Sequence, residues 1–194
     1  MKHISIEGMD GVGKSTLCKK LALRLGYKFV EKPLHYILDE NENDVSEYQR
    51  VAKIINADLD RNFTAWYYGL NNIYLYDRFK NTNIVTDRHI VSNYCWSGTK
   101  YNMDIYDLIL KKIGKPTITI ILYANSETIK NRLISRDPND SDLKKVELFE
   151  NGYKKMIEFC KLKELPYIII DSANKKPDEL VDEVIKKIGG LINE

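Results

Sequence analysis

The sequence predicts a three-layer α/β sandwich around a mainly parallel sheet. Three observations predict it. Short apolar runs alternate with segments of helical period, the first run ends in a cluster of glycines, and the runs are rich in β-branched residues, as strands covered on both faces are. His3 to Glu7 reads as a strand, and Lys14 to Leu25 as a helix with Leu17, Leu21 and Leu25 on one face and Gly26 closing it. Tyr27 to Glu31 is a second strand stopped by Pro33. Asp39 to Asp44 is acidic and loop-like, and Val45 to Phe79 has a helical pattern that suits two helices. Asn83 to Thr86 reads as a buried strand and Met103 to Ile113 as a helix ended by Gly114. Thr117 to Tyr123 is the clearest strand. Ser126, as N-cap, opens a helix to Ser135, and the breaker-rich Asp137 to Asp142 follows. Leu143 to Lys163 reads as one helix, Tyr167 to Asp171 as the last strand, and Pro177 to Ile188 as the last helix, with Gly189-Gly190 after its end.

At 194 residues the chain suits a single domain spanning 1–194. With 30 basic and 28 acidic residues, the balance gives no electrostatic case for a nucleic-acid or membrane partner. Cys18, Cys95 and Cys160 are scattered and odd in number, which fits neither a disulfide framework nor a zinc site and points to a reducing cytoplasm. The first apolar stretch is too short for a signal peptide, and no later run could span a bilayer.

Gly8-Met9-Asp10-Gly11-Val12-Gly13-Lys14-Ser15 matches G-x-x-x-x-G-K-[ST] between a predicted strand and a predicted helix, which makes the fold one of P-loop NTPase type. The glycines let successive amides face one anion, and the helix start adds its dipole. Gly8, Asp10, Gly11, Val12, Gly13, Lys14, Ser15 and Thr16 are the candidate triphosphate-binding residues, with Lys14 on the β- and γ-phosphates and Ser15 on Mg²⁺. Asp10 would be repelled by phosphates and so is expected to face an acceptor hydroxyl. Asp87, at a strand end, is a candidate Mg²⁺-side carboxylate. Arg88 beside it can neutralise charge shared by donor and acceptor.

At this point the chain resembles the thymidylate kinase family. The resemblance is carried by Ile6 to Thr16, by Asp87-Arg88-His89, and by Ser92 and Trp96-Ser97-Gly98 at the family's spacing after that tripeptide. Pro116 to Arg136 also looks like the family's late strand and arginine-bearing helix. The resemblance implies transfer of the γ-phosphate of ATP to deoxythymidine monophosphate with Mg²⁺. In those terms Lys14 and Arg88 stabilise the transferring group, and Asp10 contacts the sugar 3′-hydroxyl. Asp87 holds Mg²⁺ through water, and Ser92 and Trp96 belong to the acceptor side. Arg132 and Arg136 face ATP, stacking on adenine or clamping phosphate. The segment at about 136–150 is a lid that excludes water. A homodimer is implied by resemblance alone.

Two departures leave alternatives open. Glu31 stands where the family has an arginine before a proline, and Lys32 supplies the nearby positive charge without a bidentate fork. A Glu near this strand end also resembles deoxynucleoside kinases, out of register by one residue, while both residues could be plain surface charges. In the lid, Asp140-Ser141 replaces an Asp-Arg pair, so the catalytic cation is Arg136 or is replaced by Lys144 or Lys145. Among the aromatics of 61–71, Tyr67 is a candidate for stacking on the acceptor base, while Trp66 is favoured as packing. A GTPase or nucleotide switch fits poorly. Asn174-Lys175-Lys176-Pro177-Asp178 is one residue too long for the guanine-reading motif, and the only Asp-x-x-Gly lies inside the P-loop.

Overall fold

The computed structural model describes residues 1–41 and 44–192. Five parallel strands form the sheet: β1 (His3–Glu7), β2 (Lys28–Glu31), β3 (Ile84–Asp87), β4 (Ile118–Tyr123) and β5 (Tyr167–Asp171), in the order β2-β3-β1-β4-β5. Helices flank it: α1 (Lys14–Leu25), α2 (His35–Leu38), α3 (Ser46–Ala57), α4 (Arg61–Arg78), α5 (Ile90–Ser97), α6 (Met103–Ile113), α7 (Ser126–Arg136), α8 (Phe149–Leu162) and α9 (Pro177–Ile192). β1 is central and buried along its whole length, so its alternation carries two kinds of interior contact: Ile4 and Ile6 in the apolar core, and His3, Ser5 and Glu7 as buried polar residues. Its neighbours are β3, with Ile6 opposite Asp87, and β4, with Glu7 opposite Ile121.

From β1 the chain crosses to β2 on one side, whereas from β3 it crosses over β1 to β4 on the other. That reversal opens a crevice beyond the carboxyl ends of β1 and β3, where ligands bind in sheets of this kind. The large core beneath joins the β1 and β4 side chains to Leu17 and Leu21 of α1, Tyr106 and Ile109 of α6, Phe149 and Phe159 of α8, and Val184 and Ile188 of α9.

The structure corrects four expectations. Asn125, not Ser126, caps α7: its Oδ1 accepts from Thr128 N at 2.8 Å. The segment read as a helix from Leu143 to Lys163 divides into a 3₁₀ stretch over Ser141–Leu148 and α8. Gly189 and Gly190 lie within α9, whose packing on α1 through Leu180, Val181, Val184 and Ile188 outweighs their weak helix propensity. α5 and the single turn α2 had no predicted counterpart. The predicted loop at 39–44 lies partly outside the described residues. No helix among the described residues is long and apolar enough to cross a membrane.

Candidate active site

β1 delivers the chain to Gly8, whose φ of 140° is open to glycine and strained for other residues. A Cβ there would stand 2.4 Å from the Leu122 carbonyl oxygen of β4, so the tight turn requires glycine. Gly11 and Gly13 also have positive φ, at 79° and 99°. The chain then enters α1 at Lys14, with the first amides of the helix at the loop. This is a cradle built from backbone, and it fits a polyphosphate.

Lys14 is buried. Its ammonium donates to the Met9 carbonyl at 2.7 Å and lies 3.9 Å from Asp10 Oδ1. Burial, and after it the Arg88 charge, lowers its pKa to about 8. Arg88 follows the last residue of β3 with φ 74°, a left-handed conformation costing ~1–2 kcal/mol outside glycine. Four bonds hold it there. Its N–H donates to the Ile6 carbonyl at 2.9 Å. Its guanidinium donates to Gly8 O at 3.2 Å, Ser92 Oγ at 3.1 Å and Asp10 Oδ1 at 2.5 Å. Burial alone would raise the Asp10 carboxyl, but Arg88 and Lys14 outweigh it and hold it at about 2. Asp10 is therefore anionic at neutral pH.

On the far side of Lys14, Ser15 Oγ donates to Asp87 Oδ2. A hydroxyl and a carboxylate meeting beside a phosphate cradle are hard oxygen donors, the set that suits Mg²⁺. In register with Asp87 on the neighbouring strand is Glu31, followed by Lys32 at φ 46°. The Lys32 ammonium lies 3.2 Å from Glu31 Oε2.

A cavity of about 480 Å³ joins these groups. Of the residues named from sequence, Asp10, Gly11, Gly13, Lys14, Ser15, Thr16, Lys32, Asp87, Arg88, Arg132 and Arg136 line it, together with Glu31. Gly8 and Val12 shape it from behind: Val12 O accepts from Arg132 Nη1 at 3.2 Å and Ser172 Oγ at 3.0 Å. Arg132 also donates to the Ser172 carbonyl at 2.7 Å, tying the loop to the end of β5. Arg136 is exposed and paired with Asp140, and lies 3.6 Å from Asp142, which Lys145 also contacts at 2.8 Å. Ser92 reaches the site through Arg88. Trp96 on α5 and Tyr67 on α4 are not in the cavity wall. Trp96 is 36% exposed, and the Tyr67 hydroxyl is buried with no hydrogen-bond partner among the described residues.

Two participants went unnamed in the sequence reading. Ser172 had only its place after a strand to mark it. Glu7 had a better signal, a carboxylate at the end of an apolar central strand. Its side chain is fully buried, accepting from Ser5 Oγ at 2.9 Å on one oxygen and from Ser92 N at 3.2 Å and Ser92 Oγ on the other.

The profile of a family described as thymidylate kinase matches residues 6–184. The chain belongs to the thymidylate kinase family. Similar proteins include a thymidylate kinase of Nautilia profundicola, 26% identical over 96% of this chain and 95% of that protein. A cytidylate kinase of Mycoplasmopsis synoviae is 27% identical, with 96% and 97% covered. A putative adenylate kinase of Thermococcus kodakarensis is 26% identical, with 95% and 84% covered. Among solved structures, a deoxyadenosine kinase from M. mycoides superposes with a TM-score of 0.66 at 19% identity, covering 97% of this chain and 99% of that one, a likeness of fold. As a thymidylate kinase family member the chain is a nucleotide kinase, and its cavity places the family's phosphate loop opposite Asp87 and Arg88.

Proposed function

We propose that the chain transfers the γ-phosphoryl group of ATP to a deoxynucleoside monophosphate, with dTMP the favoured acceptor and dTDP the product. The observation that carries this reading is the Asp10–Arg88 pair standing over the phosphate loop in the same cavity as Lys32. Transfer needs cations around the moving group and a fixed line between donor and acceptor. Lys14 supplies a charge on the donor side. Arg88 spans donor and acceptor, its fork held by Gly8, Ser92 and Asp10. Asp10, kept ionised by Arg88 and Lys14, accepts from the acceptor's 3′-hydroxyl. Ser15 and Asp87 would hold Mg²⁺, which when bound neutralises phosphate charge. Lys32 contacts the acceptor phosphate, and Arg132 and Arg136 flank the donor. The 136–150 segment acts as the lid, and Trp96 and Tyr67 belong to a wider acceptor pocket.

A second reading is a deoxynucleoside kinase, favoured by Glu31, which lines the cavity two residues before Pro33 where a base on a 5′-hydroxyl would act. A panel of nucleosides and monophosphates with ATP and Mg²⁺ separates the two. The proposal expects turnover of dTMP and none of thymidine, and turnover of thymidine but not dTMP would overturn it.

A further inference from the structure

Arg88 is held by a hydroxyl that must point the right way. Ser92 Oγ carries one proton and sits between two partners, the Glu7 carboxylate, which can only accept when ionised, and the Arg88 guanidinium, which can only donate. The geometry points to Glu7 as a positioning residue for phosphoryl transfer: its carboxylate accepts the hydrogen bond of the Ser92 hydroxyl, which leaves a Ser92 lone pair facing Arg88. The inference rests on the reading of Arg88 as the residue that touches the transferring group.

Glu7 is well placed for this. It is the last residue of β1, one step before the phosphate loop, and is 0% exposed. Ser92 N and Ser92 Oγ both donate to its Oε2, so a single oxygen holds the first turn of α5 by backbone and side chain at once. Ser5 Oγ occupies the other oxygen and prevents the carboxylate from turning away. Arg88 and Ser92 are four residues apart across the β3–α5 turn, so an error in the Ser92 rotor passes directly to the guanidinium. Without an acceptor at Glu7, the hydroxyl is free to turn its proton toward Arg88, where two donors would face each other. Glu7 itself is not among the residues that line the cavity, so it acts through Ser92 and Arg88.

The test uses Glu7→Met, which keeps the volume and removes the acceptor, and Glu7→Gln, whose amide oxygen can still accept from Ser92. Ser92→Ala, Ser92→Thr and the Glu7→Met/Ser92→Ala double variant complete the set. Two readouts are taken on the intact protein: steady-state kinetics with ATP and the monophosphate acceptor, and NMR of the ¹⁵N-arginine-labelled enzyme reporting rotation of the Arg88 guanidinium. Glu7→Met and Ser92→Ala are expected each to lower kcat by about 10- to 100-fold with little change in the ATP KM, and to free the Arg88 side chain. Glu7→Gln and Ser92→Thr should recover most of both. The double variant should be no worse than Ser92→Ala, because both changes break one chain of contacts. Losses that multiply in the double variant, or a Glu7→Gln as impaired as Glu7→Met, would overturn the inference. So would Arg88 rotation identical in wild type and Ser92→Ala. The NMR readout needs no turnover, so a failure of the kinase reading is distinguishable from a failure of this one. Should Glu7→Met not fold, the Ser92 pair and Glu7→Gln decide alone.

Discussion

Asp10 Oδ1 lies 2.5 Å from Arg88 Nη2, joining the loop after β1 to the end of β3 by a partly buried ion pair. This pair makes stability depend on pH in a definite direction. The Asp10 carboxyl sits at about 2 in the fold against 3.8 as its ordinary value. Its contribution is complete above pH 4 and is lost as the pH falls from there toward 2, a total of about 2 kcal/mol. Denaturant unfolding of wild type and Asp10→Asn should differ by about that amount at pH 7, with the gap closing below pH 4. A gap that persists at pH 2 would mean Asp10 is held by something other than its charge.

Lys14 is lowered to about 8, first by burial and then by Arg88. In the free enzyme its charge is lost as the pH rises through that value. The basic limb of kcat/KM for ATP should therefore fall near pH 8, while kcat, measured with phosphates bound beside the ammonium, holds to higher pH. For stability the sign is opposite. Between pH 8 and 10.5 the fold binds fewer protons than the unfolded chain, so this group favours folding more as the pH rises. Lys14→Ala should cost ~10³-fold in kcat/KM, and a kcat/KM limb above pH 10 would show that the side chain keeps its proton.

Lys32 points its ammonium at Glu31 and into the cavity. Lys32→Ala is expected to raise KM for a monophosphate acceptor about 10-fold while leaving KM for ATP alone. An equal rise for both substrates would place Lys32 on the donor side.

Arg136 is more than half exposed and shares one of its two carboxylate partners, Asp142, with Lys145. Exposed pairs contribute about 0–1 kcal/mol, so Arg136→Ala should leave the melting temperature nearly unchanged. If the lid acts on the donor, kcat should fall by about 10-fold or more. A variant with wild-type kcat would hand the role to Lys145, and Lys145→Ala tests that directly.

Gly8→Ala would place a methyl group 2.4 Å from a backbone oxygen of β4, at a φ that alanine avoids. That contact cannot relax without moving the central sheet, so the loss should be about 3 kcal/mol or more, read by thermal melting. Gly13→Ala meets nothing within 4 Å and should cost less through φ strain alone.

The phosphate loop was legible because its chemistry is local. Glycine spacing, Lys14 and Ser15 occupy consecutive positions, and the flanking strand and helix carry their own periodicity. Asp87 and Arg88 were legible because a charged pair ending an apolar strand is rare. α5 was not, since Ser92 and Asn93 are buried polar residues whose partners, Glu7 and Ala65 O, lie far along the chain. The split at Ser141–Leu148 was hidden because its apolar spacing continues into α8, and the turn is set by the bonds of Asp140 to Asp142 N and Arg136. Glu7 was marked only as a carboxylate at the end of the first strand, and its three donors show why a carboxylate is tolerated there.

The central position of β1 has a consequence for synthesis. Its hydrogen-bonding partners on either edge are β3, some eighty residues later, and β4, later still. While the ribosome is making the intervening helices, this strand can pair with neither. Its apolar side chains are then open to other nascent chains or to a chaperone. The nucleotide cradle therefore cannot be assembled progressively: it comes into being only once β4 has emerged to close the far side of the strand that feeds it.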